Sequence, residues 1–221
     1  MTAGGESPLR PEHFQRADDT DDAAFYAIPR LVTHIDDAAI GAATAFYRDL
    51  LPAGGRILDL MSSWVSHLPA DADYSHVAGL GMNSEELAAN ARLHERVVQD
   101  LNTEPLLPWG SGSFDAAIVT VSVQYLVRPV EVFAEVGRVL KPGAPFAVLY
   151  SNRCFPTKAV AAWQMLDAGG HADLIGLYFR LSQAFGPPAA YDLSPRPGAS
   201  DPLYAVVAGK LADGRDAPDV S

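Results

Sequence analysis

The stretch FDAAIVTVSVQYLVRPVEVFAEVGRVLKPGAPFAVLYS, residues 114–151, decides the fold class of this chain. It begins with a near-continuous apolar run, Phe114–Val121, which is typical of a strand that is buried on both faces. The spacing of apolar residues predicts a helix over Val130–Leu140, ended by Lys141-Pro-Gly143. A second apolar strand is predicted over Pro145–Ser151. Two strands separated by a helix indicate parallel pairing through a right-handed crossover.

The same alternation of strands and helices extends along most of the chain. Further strands are predicted at Arg56–Leu60, Ser75–Leu80, Arg96–Leu101, Leu174–Phe179 and Leu203–Gly209. Further helices are predicted within residues 23–51 and over Ser84–Ala91 and Pro156–Gly169. The sequence therefore predicts an α/β protein with a mostly parallel, seven-stranded sheet and helices on both faces.

The predicted organisation is one domain with two flexible ends. Residues 1–22 are polar and acidic, and we expect a flexible leader there. Residues 23–211 form the α/β domain, in which residues 23–51 are N-terminal helices. The polar residues 212–221 are expected to be a flexible tail. The sequence shows no internal repeat.

Composition excludes several classes of function. The chain has 221 residues, a formal net charge of −11 and a single cysteine, Cys154. Without a dense cluster of Lys and Arg, a nucleic-acid partner is disfavoured. One cysteine cannot form an intrachain disulfide, and the histidines show no spacing typical of a metal site. No apolar run approaches the roughly 20 residues that cross a bilayer, and Met1–Arg16 has no secretory signal. We expect a cytoplasmic protein without metal or membrane partner, and its oligomeric state stays open.

In an open parallel sheet, ligands bind beyond the carboxyl ends of the strands, where the strand order reverses. For this chain, those positions are the segments that follow Leu60, Leu80, Leu101, Val121 and Ser151. Candidate functional residues are therefore sought in these five segments.

Several of these segments resemble those of a known family. Arg56–Leu60 (RILDL), Gly79–Leu87 (GLGMNSEEL), Val97–Leu101 (VVQDL), Leu107–Phe114 (LPWGSGSF) and Arg138–Gly143 (RVLKPG) occur in the order and spacing of the class I S-adenosylmethionine-dependent methyltransferases, type 11 branch. The resemblance covers roughly residues 55–152. It implies a Rossmann-like methyltransferase fold, S-adenosyl-L-methionine as cofactor, and methyl transfer to a small-molecule O, N or S acceptor.

The first motif departs from that family. The family has an acid followed by a glycine-rich loop, whereas this chain has Asp59 followed by LMSSWVSH. Side chains therefore replace glycine at Met61, Ser63 and Val65. The resemblance assigns Asp59, Met61, Ser62 and Ser63 to cofactor binding. Met61 and Trp64 are bulky enough to fill the space that glycines leave open.

The second and third motifs supply the nucleoside contacts that the resemblance implies. Gly81 stands where the family has an acid for the ribose, and Met82 is placed to pack on adenine. Asn83 either replaces the missing acid or caps the following helix. Asp100 matches the acid that accepts a hydrogen bond from the adenine amino group, and Leu101 offers its backbone N–H.

Candidate acid–base groups come from three places. Ser122 and Tyr125 lie in the segment that faces the cofactor and substrate in the family, although Tyr125 equally suits the core. Tyr26, Arg30 and His34 are spaced by four residues, hence on one face of a helix. In the family such a helix covers the site, so Arg30 would meet the cofactor carboxylate and His34 the substrate. The alternative is a surface stripe packed on the sheet edge.

His67 follows the first loop and is the second candidate base. Arg153 and Cys154 border the same edge of the sheet, where Arg153 is suited to an acidic substrate. Cys154 is interpreted as a small half-buried residue, because methyl transfer needs no covalent enzyme intermediate.

Two functions remain open at this point. The first is an active methyltransferase, for which His34, His67 and Tyr125 are the candidate catalytic residues. The second is a binding or scaffold protein that has kept the fold and lost cofactor affinity, which the altered first loop favours. A nicotinamide-dependent oxidoreductase is disfavoured, because the G-x-G-x-x-G motif is absent.

Overall fold

The computed structural model describes residues 8–212, in which seven strands form one sheet. The strands are β1 Arg56–Leu60, β2 His76–Gly81, β3 Glu95–Val98, β4 Ala116–Thr120, β5 Pro145–Tyr150, β6 Ala189–Asp192 and β7 Tyr204–Gly209. Their order across the sheet is β3-β2-β1-β4-β5-β7-β6. The first five strands pair in parallel, and β7 pairs antiparallel with both β5 and β6. The predicted mostly parallel, seven-stranded α/β sheet is confirmed.

Helices cover both faces of this sheet. They are α1 Asp22–Phe25, α2 Asp37–Leu50, α3 Ser84–Ala89, α4 Pro129–Val139, α5 Ala161–Gln164 and α6 Ala168–Ser182, with 3-10 turns at Pro11–Phe14 and Val123–Tyr125. Ile57 packs with α2 and α3 in one buried apolar cluster. Its neighbour Leu58 packs with α4 and α6 in the other. This alternation follows from the two-residue period of a strand, and it explains why the central strands are apolar throughout.

The C-terminal third differs from the prediction. Leu174–Phe179 was predicted as a strand but lies inside α6. Leu174, Ile175, Tyr178 and Phe179 are buried, and their spacing by one and four residues is that of a helix face. The predicted helix over Pro156–Gly169 is reduced to the short α5. The seventh strand is instead β6, an edge strand that is exposed along its whole length and so has no buried apolar pattern.

Residues 26–36 are not helical, contrary to the prediction for residues 23–51. Pro29 lacks the N–H that a continuing helix would use. The Asp36 carboxylate accepts a hydrogen bond from the Ala39 amide at 2.9 Å and begins α2 at Asp37. The predicted helical face of Tyr26, Arg30 and His34 is therefore wrong.

The leader packs on the domain from residue 9 onward. Leu9 and Phe14 contact the apolar cluster around α4 and α6. The fully buried Lys158 donates a hydrogen bond from Nζ to the Thr20 carbonyl at 2.7 Å and lies 3.1 Å from the Asp22 carboxylate. This differs from the flexible leader predicted for residues 1–22, because a buried ammonium requires these partners. Residues 1–7 of the leader and 213–221 of the predicted tail lie outside the described residues.

The strand order fixes where a ligand site belongs. The chain runs outward from β1 through β2 to β3, then returns to β4 on the other side of β1 and continues to β5. The order therefore reverses between β1 and β4, and a crevice opens beyond their carboxyl ends. Among the described helices, none is long and apolar enough to cross a membrane.

Candidate functional site

A cavity of about 490 Å³ lies beyond the carboxyl ends of the parallel strands. Each of the five predicted segments contributes to its wall: Met61 after β1, Met82 after β2, Asp100 after β3, Ser122 after β4 and Arg153 after β5. The volume is in the range of small-molecule and cofactor sites. A smaller pocket of about 40 Å³ adjoins it and shares Met61, Ser62 and His34 with it.

Most of the predicted site residues line the larger cavity, although residues 26–36 reach it as an irregular segment instead of a helix. They are Arg30, His34, Met61, Ser62, Ser63, Gly81, Met82, Asn83, Asp100, Leu101, Ser122 and Tyr125. Asp59 and His67 are the two exceptions, and both line only the smaller pocket. Lining the cavity shows that a residue is placed to contact a ligand, and the individual roles stay predictions.

The first loop keeps the backbone shape that a glycine would adopt without strain. Met61 has φ 54°, in the left-handed region, which costs a residue with a side chain roughly 1–2 kcal/mol. Residues 61–75, between β1 and β2, contain no helix. Side-chain hydrogen bonds therefore hold the loop in place of regular secondary structure. The Met61 side chain forms part of the cavity wall.

The Asp59 carboxylate, at the end of β1, holds this loop through two hydrogen bonds. Its Oδ2 accepts hydrogen bonds from the hydroxyls of Ser62 and Ser66, both at 2.6 Å. Burial raises the pKa of the Asp59 carboxyl to about 6, although the two serine hydroxyls lower it. Asp59 is 3% exposed and lines the smaller pocket, with its carboxyl bonded to the loop, and its role in cofactor binding stays a prediction.

The serine hydroxyls are likewise occupied within the protein. Ser62 Oγ donates to Asp59, and Ser63 Oγ donates to Glu86 Oε2 at 2.6 Å. Glu86 Oε1 also accepts the backbone N–H of Arg30 at 2.7 Å. Glu86 therefore joins the first loop to the leader, and the two serines are left with their acceptor lone pairs for a ligand.

Asn83 caps α3, which answers the alternative that the sequence left open. Its Oδ1 accepts the amides of Glu85 and Glu86 at 2.9 and 3.0 Å. Its Nδ2 donates to the carbonyls of Tyr26 and Ala27 at 2.9 and 3.2 Å. Both donors are thus used within the protein, so Asn83 fixes the leader, and its role in cofactor binding stays a prediction.

Position 81 requires glycine because the backbone of the first loop passes close to it. A Cβ atom at this position would lie 2.1 Å from the carbonyl oxygen of Ser62. An acid at Gly81 is therefore incompatible with this first loop, which explains the departure from the family pattern as a consequence of the loop's path. Met82 follows, half-buried, with its side chain on the cavity wall.

Asp100 lies at the β3 end of the cavity and is half-buried. Its Oδ1 accepts the Asn102 amide at 2.8 Å. The Asn102 side chain donates from Nδ2 to Asp22 and to the Tyr125 carbonyl, at 2.9 and 3.0 Å. These bonds connect the leader to the segments after β3 and β4, so three parts of the wall are fixed relative to one another.

His34 and His67 flank the junction of the two pockets. Burial is the main cause that lowers the pKa of His34, and the Arg30 charge adds to it, while the Glu86 carboxylate opposes. Burial lowers the pKa of His67 to about 4, and proximity to His34 contributes. The Nδ1 atom of His67 is buried without a hydrogen-bond partner in the described part of the chain. Both rings are therefore neutral near pH 7 and able to accept a proton.

Tyr125 is largely buried but reaches the cavity. Its hydroxyl oxygen accepts the Phe155 amide at 2.8 Å, and its ring stacks on Phe155 with centroids 5.9 Å apart. Burial raises the pKa of Tyr125 to about 12. The phenol is thus protonated and has its O–H available as a donor.

Trp64 does not fill the larger cavity. Its indole Nε1 donates to the Val32 carbonyl at 2.9 Å, and its ring lines only the smaller pocket. The cavity is consequently open, in spite of the bulky residues in the first loop.

Several wall residues escaped sequence reasoning. They are Asp22, Thr33, Leu80, Glu86, Gln99, Asn102, Thr120, Val121, Leu126 and Phe155. In the sequence, Glu86 resembles an ordinary acid in the first turn of a helix, and Asp22 is part of an acidic run. Their local sequence therefore does not indicate that these side chains are buried at the cavity. Only the leader's path over the sheet edge brings them to the cavity. Among residues 8–212, no group of three or more His, Cys, Asp or Glu side chains is arranged to hold a metal ion.

Comparison with known proteins agrees with this geometry. Residues 61–148, which run from the first loop into β5, match the family model described as "Methyltransferase domain". The match covers 88 of the 221 residues, so over this segment the chain is similar to methyltransferase domains. The matched segment contains four of the five strand-end segments that line the cavity.

One curated relative and two solved structures are also similar to this chain. The biotin biosynthesis bifunctional protein BioHC of Teredinibacter turnerae is 33% identical over 81 residues, 36% of this chain and 14% of that protein. The [4+2]-cyclase SpnF shares the fold with a TM-score of 0.61 and 17% identity, over 86% of this chain and 91% of that one. The geranyl diphosphate C-methyltransferase of Streptomyces coelicolor shares the fold with a TM-score of 0.56 and 16% identity, over 86% of this chain and 97% of that one. At these identities the structures establish the shared fold.

Proposed function

We propose that this protein transfers a methyl group from S-adenosyl-L-methionine to an O, N or S atom of a small molecule. The observation that carries the proposal is the open cavity of about 490 Å³, to which all five strand ends and the leader contribute. A scaffold with no ligand has no need of such a cavity at the point where the strand order reverses. The single cysteine supports a cytoplasmic location.

The wall offers unused polar groups that suit this cofactor. The Arg30 guanidinium forms no ion pair among the described residues, and the Ser122 hydroxyl is buried without a hydrogen-bond partner there. Asp100 uses only Oδ1 within the protein. These groups supply a cation for a carboxylate, and donors and acceptors for a nucleoside.

When bound, S-adenosyl-L-methionine supplies an electrophilic methyl group on a sulfonium sulfur. In our proposal, Asp100 and the Leu101 amide hold the adenine edge, and Met82 packs against its face. Arg30 holds the carboxylate. Positioning of the two reactants by such contacts accounts for much of the acceleration of a displacement reaction.

If the methyl acceptor must lose a proton, His34 is the proposed base. It lies on the wall of the larger cavity and is neutral near pH 7, because burial lowers its pKa. His67, which faces the adjoining pocket, is the alternative base, and the Tyr125 hydroxyl is placed to orient the methyl acceptor.

Calorimetric titration tests the proposal. We expect S-adenosylhomocysteine and S-adenosylmethionine to bind at one site per chain, and Asp100→Ala to weaken both at least tenfold. Asp73→Ala is the matched control, since Asp73 is exposed and outside the cavity wall. Absence of binding at millimolar ligand would remove the proposal.

A binding protein without catalysis is the second candidate. The observation in its favour is the first loop, where Met61, Ser63 and Val65 replace glycines and the serine hydroxyls are already used. Cofactor titration followed by a turnover assay over a panel of acceptors separates the two. Binding without turnover of any acceptor would favour this candidate.

A further inference from the structure

Charge is distributed unevenly over the cavity wall. The chain carries a net charge of −11, yet two of the three acids on this wall, Asp22 and Glu86, are compensated or hydrogen-bonded within the protein, and the third, Asp100, is at the β3 end. Asp22 accepts hydrogen bonds from Arg16 at 2.7 and 2.8 Å, and Lys158 lies 3.1 Å from it. Glu86 accepts the Arg30 amide and the Ser63 hydroxyl. Their negative charge is therefore largely unavailable to a ligand.

The two arginines of the wall are not compensated to the same degree. Arg30 lies with its guanidinium carbon 4.5 Å from the ring centre of Phe25 and 5.3 Å from that of Phe155. Its N–H groups reach only backbone carbonyls, at 2.9 and 3.4 Å. Arg153 approaches one acid, Asp201, with 3.7 Å between nitrogen and oxygen, which is longer than a hydrogen bond.

The two arginines also differ in position. Arg30 belongs to the leader, where the proposed function assigns it to the cofactor carboxylate. Arg153 follows β5, at the end of the cavity farthest from Asp100 in the strand order. Its side chain is 60% exposed and so free to reorient toward a ligand.

The wall next to Arg153 is aromatic and apolar. Tyr125 and Phe155 stack there, and Leu126 and Cys154 complete the surface. Aromatic walls favour flat or apolar bodies, and a guanidinium fits a carboxylate with two parallel hydrogen bonds. The β5 end of the cavity thus combines an apolar surface with a cation whose only ion pair among the described residues is the long contact with Asp201.

We propose that the methyl acceptor is a small aromatic or apolar acid, whose anionic group is bound by Arg153 and whose body lies on Tyr125 and Phe155. This inference rests on the proposed function, because it assigns the β3 end and Arg30 to the cofactor. It identifies the class of acceptor by charge and shape.

The test uses three probes of similar shape and different charge on the full chain. Protein saturated with S-adenosylhomocysteine, so that Arg30 is occupied, is titrated with benzoate, benzamide and benzylamine by calorimetry or ligand-observed NMR. We expect benzoate to bind at least tenfold more tightly than benzamide, and benzylamine to bind most weakly. Equal affinity of benzoate and benzamide would overturn the proposal.

Variants assign the anion site to one arginine. Arg153→Gln is expected to weaken benzoate at least fivefold, to leave benzamide unchanged and to retain S-adenosylhomocysteine affinity. Arg48→Gln is the matched control, because Arg48 is another half-exposed arginine paired with an acid, outside the cavity. Benzoate affinity that is unaffected by Arg153→Gln would overturn the assignment.

The design separates this inference from the proposed function. If S-adenosylhomocysteine fails to bind, the methyltransferase proposal falls, and the benzoate titrations are repeated on the protein alone. Binding of benzoate that depends on Arg153 would then still support an acid-binding site. Benzoate binding that depends on Arg30 instead of Arg153 would contradict the assignment of the anion site to Arg153.

Discussion

One buried ammonium, that of Lys158, is among the groups that attach the leader to the domain, and we expect a measurable loss of stability when this charge is removed. Lys158 is fully buried, with Thr20 and the carboxylates of Asp18 and Asp22 around its Nζ atom. Burial alone would raise the pKa of Asp22, but hydrogen bonds from Arg16 and Lys158 among others outweigh it and lower the pKa. Lys158→Met keeps the aliphatic stem and removes the charge.

The expected cost follows from the partners that remain. Removing one member of a buried ion pair costs about 3–5 kcal/mol. Asp22 keeps the 2.7 Å contact with Arg16, so we expect the lower end, about 3 kcal/mol. Urea unfolding of the full chain measures this as a lower midpoint with an unchanged slope.

A surface pair provides the control for this measurement. Lys141 also contacts an acid, Asp115, at 2.6 Å, but its side chain is 47% exposed. Lys141→Met should therefore cost no more than about 1 kcal/mol. If Lys158→Met costs as little as Lys141→Met, the leader is not held by this network and the account of its attachment is wrong.

Three further substitutions test the loops around the cavity. Burial holds the pKa of His67 near 4, below the ordinary 6.5, so the native state loses stability as pH falls from 6.5 to 4. His67→Asn, which tolerates the φ of 55°, should remove about 3 kcal/mol of that loss, measured by urea unfolding at pH 7.5 and 4.5. Met61→Gly should be less destabilising than Met82→Gly by about 1 kcal/mol in the same assay, because of the two residues only Met61 has a left-handed backbone. An equal loss of unfolding free energy in both variants would contradict the proposed backbone strain at Met61. Gly81→Ala should destabilise the protein by about 1–3 kcal/mol and weaken S-adenosylhomocysteine, because its Cβ would meet a carbonyl oxygen at 2.1 Å. Gly41→Ala, with nothing within 4 Å of the new Cβ, should not, and similar losses in both would refute this explanation.

The sheet was predictable because its central strands carry their own signal. Strands such as Ala116–Thr120 are apolar throughout since both faces are covered, and helices with caps and glycine stops separate them. The edge strand Ala189–Asp192 has no covered face and therefore no such signal. Leu174–Phe179 was misassigned because a short apolar run fits a strand and a helix equally well.

The site was predictable only as far as the strand ends determine it. Twelve of the fourteen predicted site residues line the larger cavity, and ten of these follow or end strands, because parallel strands bring their carboxyl ends to one edge; the other two, Arg30 and His34, reach it from the leader. Asp59 and His67 line the adjoining smaller pocket instead, since the path of an irregular loop decides which way their side chains turn. The roles of Asn83 and Glu86 depend on contacts with a leader more than 50 residues away, which no local pattern contains.

A crystal structure grown with S-adenosylhomocysteine tests the central claim, that the cavity at the carboxyl edge of the sheet accepts this nucleoside. The account predicts electron density for the ligand in the larger cavity, with its adenine between Met82 and Leu101 and its carboxylate at Arg30. A cavity closed by Met61 or Trp64, or a ligand bound anywhere else, would contradict it.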